Sequence, residues 1–167
     1  DDKTIKGAIA EGKSLEEFTK RYEKAFFEDE AALNIKKASV YPRATEHIKE
    51  MVELIEKLLK KGYAYKTEDG IYFDIKKFKG YGKLSHLKIK ELKEGARVNS
   101  DEYDKENAKD FALWKFYSKE DGKVFWETKL GKGRPGWHIE CSVMSAKYLG
   151  QPFDIHTGGV DLIFPHH

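Results

Sequence analysis

Gly133-Arg134-Pro135-Gly136-Trp137-His138-Ile139-Glu140-Cys141-Ser142, followed by Phe153-Asp154-Ile155-His156, Gly158-Gly159 and Asp161, is the stretch that decides the fold of this chain. His138 to Tyr148 fits a helix with Cys141 in its first turns, and Gly150 ends it. Phe153 to His156 reads as a short buried strand with a glycine turn at its carboxyl end. Helix, strand and glycine turn in that order belong to an α/β fold, and in open parallel α/β sheets ligands sit at such a turn. The block also holds the only cysteine and, with His166 and His167, four of the six histidines. A thiolate beside imidazoles suits a transition metal, and a helix N-terminus favours the thiolate form of Cys141. The spacing equally allows Cys141 to be a small buried hydrophobe and the histidines to be solvated, because Cys141 and His166 are distant in sequence and supply two of zinc's usual four ligands.

Upstream, Gly131 to Gly136 reads as a flexible joint. Asp110-Phe111-Ala112-Leu113-Trp114-Lys115 and Lys123-Val124-Phe125-Trp126 carry strand-like aromatic patterning, and residues 76–110 look like short lysine-rich pieces. Tyr63-Ala64-Tyr65, the turn Glu68-Asp69-Gly70 and Ile71-Tyr72-Phe73-Asp74 form a hairpin signal. Before Gly62 the period is helical: Ile48, Met51, Val52, Ile55 and Leu58/Leu59 share one face behind Thr45 as N-cap, with Lys60-Lys61 in the last turn. Ser14-Leu15-Glu16-Glu17 is a capping box, opening a helix whose apolar stripe, Leu15, Phe18, Tyr22 and Phe26, ends at Phe26-Phe27.

At 167 residues the chain can bury one core, or one with a smaller satellite. Its 40% hydrophobic content excludes a disordered chain, while 36% charged residues give it a densely ionic surface. The 31 basic residues nearly balance the 29 acidic ones, so net charge does not point to a polyanion. One cysteine excludes an internal disulfide framework and favours a reduced, cytoplasmic setting. No apolar run approaches a membrane span. Starting at Asp1-Asp2-Lys3 without methionine, the sequence reads as an internal segment.

The strings Gly133 to Ser142 and Phe153 to His156, with Gly158-Gly159, Asp161-Leu162 and Phe164-Pro165-His166-His167, closely resemble the catalytic domain of cysteinyl-tRNA synthetases, which are class I enzymes. Asp1-Asp2-Lys3, Ala32-Leu33-Asn34-Ile35, Pro42-Arg43-Ala44-Thr45, Gly62-Tyr63-Ala64-Tyr65, Gly95-Ala96-Arg97 and Asp110 to Lys115 extend the resemblance across nearly the whole chain. It implies an α/β fold: part of a Rossmann-type nucleotide-binding domain, mostly helical over residues 1–62, a mixed α+β connective insertion over 63–133, and a return to the catalytic domain over 134–167.

The resemblance also implies a ligase that activates cysteine with ATP, with Mg2+, and transfers it to tRNA(Cys), acting as a monomer. Its zinc is held by two cysteines, a histidine and a glutamate; Cys141 matches the second cysteine and His166 the histidine, the other two lying outside this sequence. Zinc binds the substrate thiolate and so separates cysteine from serine, where a merely apolar pocket distinguishes close analogues by only about 10- to 200-fold. Trp137 matches a wall of the amino-acid pocket and His156 a histidine near the substrate. Gly158, Gly159 and Asp161 match the turn that approaches the adenylate. Plain core packing would equally explain Trp137. The basic stretch Lys76 to Arg97, with Tyr81, suits either tRNA phosphates or solvent. The family's His-x-Gly-His signature and lysine-bearing loop do not occur in these residues, so no catalytic residue is assigned and the segment alone is expected to be inactive. Three other possibilities stay open: a related ligase that joins cysteine to an amino-sugar in thiol biosynthesis, a noncatalytic RNA-binding module, and a plain structural fragment.

Overall fold

The computed structural model describes residues 2–86 and 110–166. Two helices open it. α1 (Asp2–Ala10) buries Ile5 and Ala8, and α2 (Leu15–Ala32) starts at the expected capping box: Glu17 N–H donates to Ser14 Oγ at 3.2 Å and Ser14 N–H returns a bond to Glu17 Oε2 at 3.0 Å. α2 runs on past Phe26-Phe27, where its apolar stripe ends. The polar run beyond them is compatible with helix and stays in it, and the chain leaves helical geometry at Leu33, with Asn34 in left-handed conformation at φ 55°.

α3 (Ile48–Lys60) presents the expected face, Met51, Val52 and Ile55, to the core, and Gly62 at φ 75° stops it. Its start differs from expectation. Ala44–Glu46 forms a 3-10 turn that takes up Thr45, and His47 sits at the N-cap position instead. The His47 ring is pinned at both nitrogens: Nδ1 lies 2.7 Å from the Arg43 carbonyl and Nε2 lies 2.9 Å from the Tyr148 hydroxyl. A carbonyl only accepts, so Nδ1 carries the hydrogen and, in the neutral ring, Nε2 accepts from Tyr148.

Beyond Gly62 the chain turns to strands. β1 (Ala64–Lys66) and β2 (Gly70–Phe73) form the expected hairpin, and β3 (Phe111–Phe116), β4 (Trp126–Thr128) and β5 (Gly131–Pro135) complete a five-stranded sheet in the order β1-β2-β3-β5-β4. Every described pairing is antiparallel. Helices over a sheet agree with the α/β class. Of the strand-like run Lys123 to Trp126, only Trp126 enters β4. Residues 76–86 follow β2 as turns; Leu87, Leu92, the Gly95-Ala96-Arg97 string and the rest of the Lys76 to Arg97 basic stretch beyond His86 lie outside the described residues.

Gly131 to Gly136 is not a flexible joint: Gly131–Pro135 is β5, paired on both sides, and Gly136 is the N-cap residue of the helix that follows. The glycines let this stretch approach β3 closely. A Cβ on Gly133 would lie 2.2 Å from the Lys115 carbonyl oxygen, and one on Gly136 would lie 1.9 Å from that of Ala112. β5 runs straight into α4 (Trp137–Leu149), which Gly150 stops at φ 80°, as expected. α3 and α4 lie on the sheet, enclosing Met51, Ile55, Ile71, Leu113, Trp114, Ile139 and Val143. Phe153 to His156 is not a buried strand: it has no strand beside it among the described residues to take up its backbone groups, and Ile155 is 78% exposed. The chain then passes a 3-10 turn (Val160–Leu162) into the short α5 (Ile163–His166).

Candidate functional site

β5 delivers α4 to the sheet with its entry fixed. Gly136 N–H donates to the Leu113 carbonyl at 2.9 Å, and the Arg134 guanidinium is held between carboxylates, its Nε 2.7 Å from Asp121 Oδ1 and its NH2 group on Asp2. Lys115 also donates to Asp2, at 3.0 Å. α4 therefore projects Trp137, His138 and Cys141 from an anchored start.

The segment after α4 folds back beside that helix, and together they line an open cavity of about 1300 Å³. Five of the seven candidate residues line it: Cys141 from α4, His156, Gly158 and Gly159 from the extended segment, and His166 from α5. Trp137 reaches it at one remove, stacked on His166 with ring centroids 4.1 Å apart and planes at 19°. Asp161 lies in the 3-10 turn that follows the glycine pair. His156 is exposed, its ring 6.3 Å from that of Phe153. His167 lies outside the described residues.

The electrostatics of the thiol differ from the expectation drawn from the helix terminus. Cys141 is the fifth residue of α4, past the first turn where the helix dipole acts most. Burial pushes its thiol upward and the adjoining Glu140 adds to the rise. Glu140 is itself pushed up to about 7 by burial, with Arg134 opposing. A half-buried thiol of this kind becomes a thiolate when a cation neutralises it, which is the condition of a metal ligand.

His138, absent from the candidate set, is buried, and its Nδ1 lies 3.0 Å from Nδ1 of His166. Burial, then His166 and Lys115, hold His138 down at about 4, so it is neutral near pH 7. Its spacing of three residues before Cys141 is the one sequence signal that places it on the same side of α4.

Among the described residues no three His, Cys, Asp or Glu side chains gather as a metal cage. Cys141 and His166 nevertheless offer a soft sulfur and an imidazole to one cavity, and that pair fits half of a tetrahedral zinc set.

The family of tRNA synthetases class I (C) catalytic domains matches residues 1–167. Over its full length the chain is 59% identical to the cysteine--tRNA ligase of Brachyspira hyodysenteriae, covering 36% of that protein. It is 55% identical to the cysteine--tRNA ligase of Methanococcus maripaludis, covering 34% of it, and 56% identical to that of Pyrococcus abyssi, again covering 34%. The chain thus spans about a third of the length of the curated relatives it matches.

Proposed function

Because this chain belongs to the class I (C) tRNA synthetase catalytic-domain family, we propose that it is the pocket-bearing segment of a ligase that activates cysteine with ATP and joins it to tRNA(Cys). The observation that carries this is the meeting of Cys141 and His166 on one cavity from elements far apart in sequence. In this proposal Cys141 Sγ and the His166 imidazole hold zinc, completed by two ligands beyond these residues. When bound, the metal supplies a coordination position that prefers the thiolate of cysteine to the hydroxyl of serine.

The chain's own residues do the rest. Trp137 fixes the plane of His166 by stacking on it. Gly158 and Gly159 line the cavity without side chains, which suits close approach of the adenylate, with Asp161 following for a hydroxyl or ammonium group. His156, on the same cavity, is assigned to the substrate's surroundings. ATP enters with Mg2+ as substrate. Lys76, Lys77, Lys79 and Lys83, on the turns after β2, are assigned to the phosphates of the tRNA acceptor end. Residues 63–133 are assigned as the connective insertion between catalytic-domain parts 1–62 and 134–167. A cytoplasmic monomer is proposed with them; no helix among the described residues is long and apolar enough to cross a membrane.

The test is zinc content and cysteine-dependent ATP–pyrophosphate exchange of the full-length protein, with and without Cys141→Ala. The substitution is expected to remove both zinc and discrimination against serine. A Cys141→Ala protein that keeps zinc and exchanges normally overturns the assignment.

A further inference from the structure

His138 has no part in the function just proposed, yet its ring makes a direct polar contact to a proposed ligand. The residue is 7% exposed, its ring edge-on to Phe111 at 5.2 Å and tilted against Trp137 at 5.4 Å. Its Nδ1 stands 3.0 Å from Nδ1 of His166. Two imidazole nitrogens at that distance share one hydrogen: one ring donates and the other accepts.

The direction of that bond decides what His166 can do. A neutral His166 that accepted at Nδ1 would carry its hydrogen on Nε2, leaving neither nitrogen with a lone pair for a metal. A His166 that donates from Nδ1 keeps the Nε2 lone pair. We propose that His138 is a positioning residue whose Nδ1 accepts the Nδ1–H of His166, fixing the tautomer and ring orientation that present His166 Nε2 to a divalent metal.

This rests on the zinc assignment above and adds to it a residue that touches neither metal nor substrate. A hydrogen bond behind a ligating imidazole orients the ring and raises its basicity, and removing such partners typically costs about 10- to 100-fold in metal affinity. The fold supplies the arrangement economically. His138 and Cys141 are one helical turn apart on α4, so one element contributes the thiol ligand and the group that holds the second ligand. Packing between Phe111 and Trp137 fixes the His138 ring itself.

Two variants of the full-length protein separate the hydrogen bond from packing. His138→Leu removes the acceptor at similar volume, whereas His138→Asn returns an acceptor oxygen near the Nδ1 position. The readout is zinc loss to a competing chelator, with circular dichroism as the check on folding. The Leu variant is expected to hold zinc about 10- to 100-fold less tightly, and the Asn variant to recover most of that loss. Equal losses in both variants, or none in either, overturn the proposal while Cys141→Ala still loses zinc. A Cys141→Ala protein with its full zinc complement sinks the underlying zinc assignment instead. Where neither His138 variant folds, the 15N spectrum of His166 in the unsubstituted, zinc-free protein decides: hydrogen on Nδ1 supports the proposal, and hydrogen on Nε2 overturns it.

Discussion

Trp137 lies flat against His166, 4.1 Å between ring centroids, and so joins the first residue of α4 to the last of α5. An offset or stacked aromatic pair contributes about 0.5–1.5 kcal/mol beyond the area it buries. Trp137→Ala should therefore loosen His166 and weaken zinc retention about 2- to 10-fold in the full-length protein, since about 1.4 kcal/mol is tenfold. Trp137→Phe should retain most of it. Chelator competition measures both, and an unchanged Ala variant would show that the stack does not serve the metal.

Gly136 sets the entry to α4. A methyl group there would lie 1.9 Å from the Ala112 carbonyl oxygen, which is backbone of the central strand β3 and has no side chain to swing away. Gly136→Ala must separate β5 from β3, and overpacking of this kind costs about 1–3 kcal/mol or more. Urea unfolding should show a lower midpoint, and the zinc-binding residues downstream should lose their registration with it. Gly150→Ala, by contrast, meets no atom within 4 Å and is strained only by its φ of 80°.

Local signals made much of this fold readable. The capping box at Ser14, the apolar face from Ile48 to Leu59 and the stop at Gly62 each act within a few residues, and the structure keeps them. β5 was unreadable for the opposite reason. Gly133 is a strand residue only because the Lys115 carbonyl, far away in sequence, leaves room for nothing larger. The glycines that suggest a joint in isolation are there for close approach. α1 shows only Ile5 and Ala8 buried, too few for a periodic stripe. At the site, Cys141 and His166 are legible through resemblance rather than spacing, and His138 is not, because its partner is 28 residues away.

Arg134 holds two carboxylates from different parts of the chain. Its side chain is 11% exposed, and those of Asp121 and Asp2 are 7% and 24% exposed. Arg134→Met would leave Asp121 buried with its charge uncompensated, and breaking a buried pair from one side costs about 3–5 kcal/mol. The loss should show in denaturant midpoints. The paired change Arg134→Met with Asp121→Leu should recover much of it, because two apolar groups leave no stranded charge. A double variant no better than the single one would place the cost in lost packing.

The 167 residues include no His-x-Gly-His sequence, so the proposed function carries a negative prediction. Charge stabilisation at the transferring phosphoryl group is usually the largest catalytic contribution, and its removal is worth orders of magnitude rather than a fraction. The purified 167-residue chain is expected to give no cysteine-dependent ATP–pyrophosphate exchange above buffer. Measurable exchange would mean that the activating groups lie within these residues.

Asp2 gives the stability of the chain an acid limb with a predictable sign. Burial raises its carboxyl, but hydrogen bonding and charge from Lys115 and Arg134 outweigh that and hold it below its ordinary value. The unfolded chain therefore binds the proton first as pH falls. Asp2's contribution is fully present above its unfolded value, about 4, and disappears as pH drops through the lower folded value. Asp2→Asn should reduce stability near pH 7, where Lys115 and Arg134 lose a charged partner. It should also flatten the decline below about pH 4 relative to the unsubstituted chain. Urea unfolding at a series of pH values tests both limbs. Parallel curves for the two proteins would show that Asp2 is not held as an anion by Lys115 and Arg134.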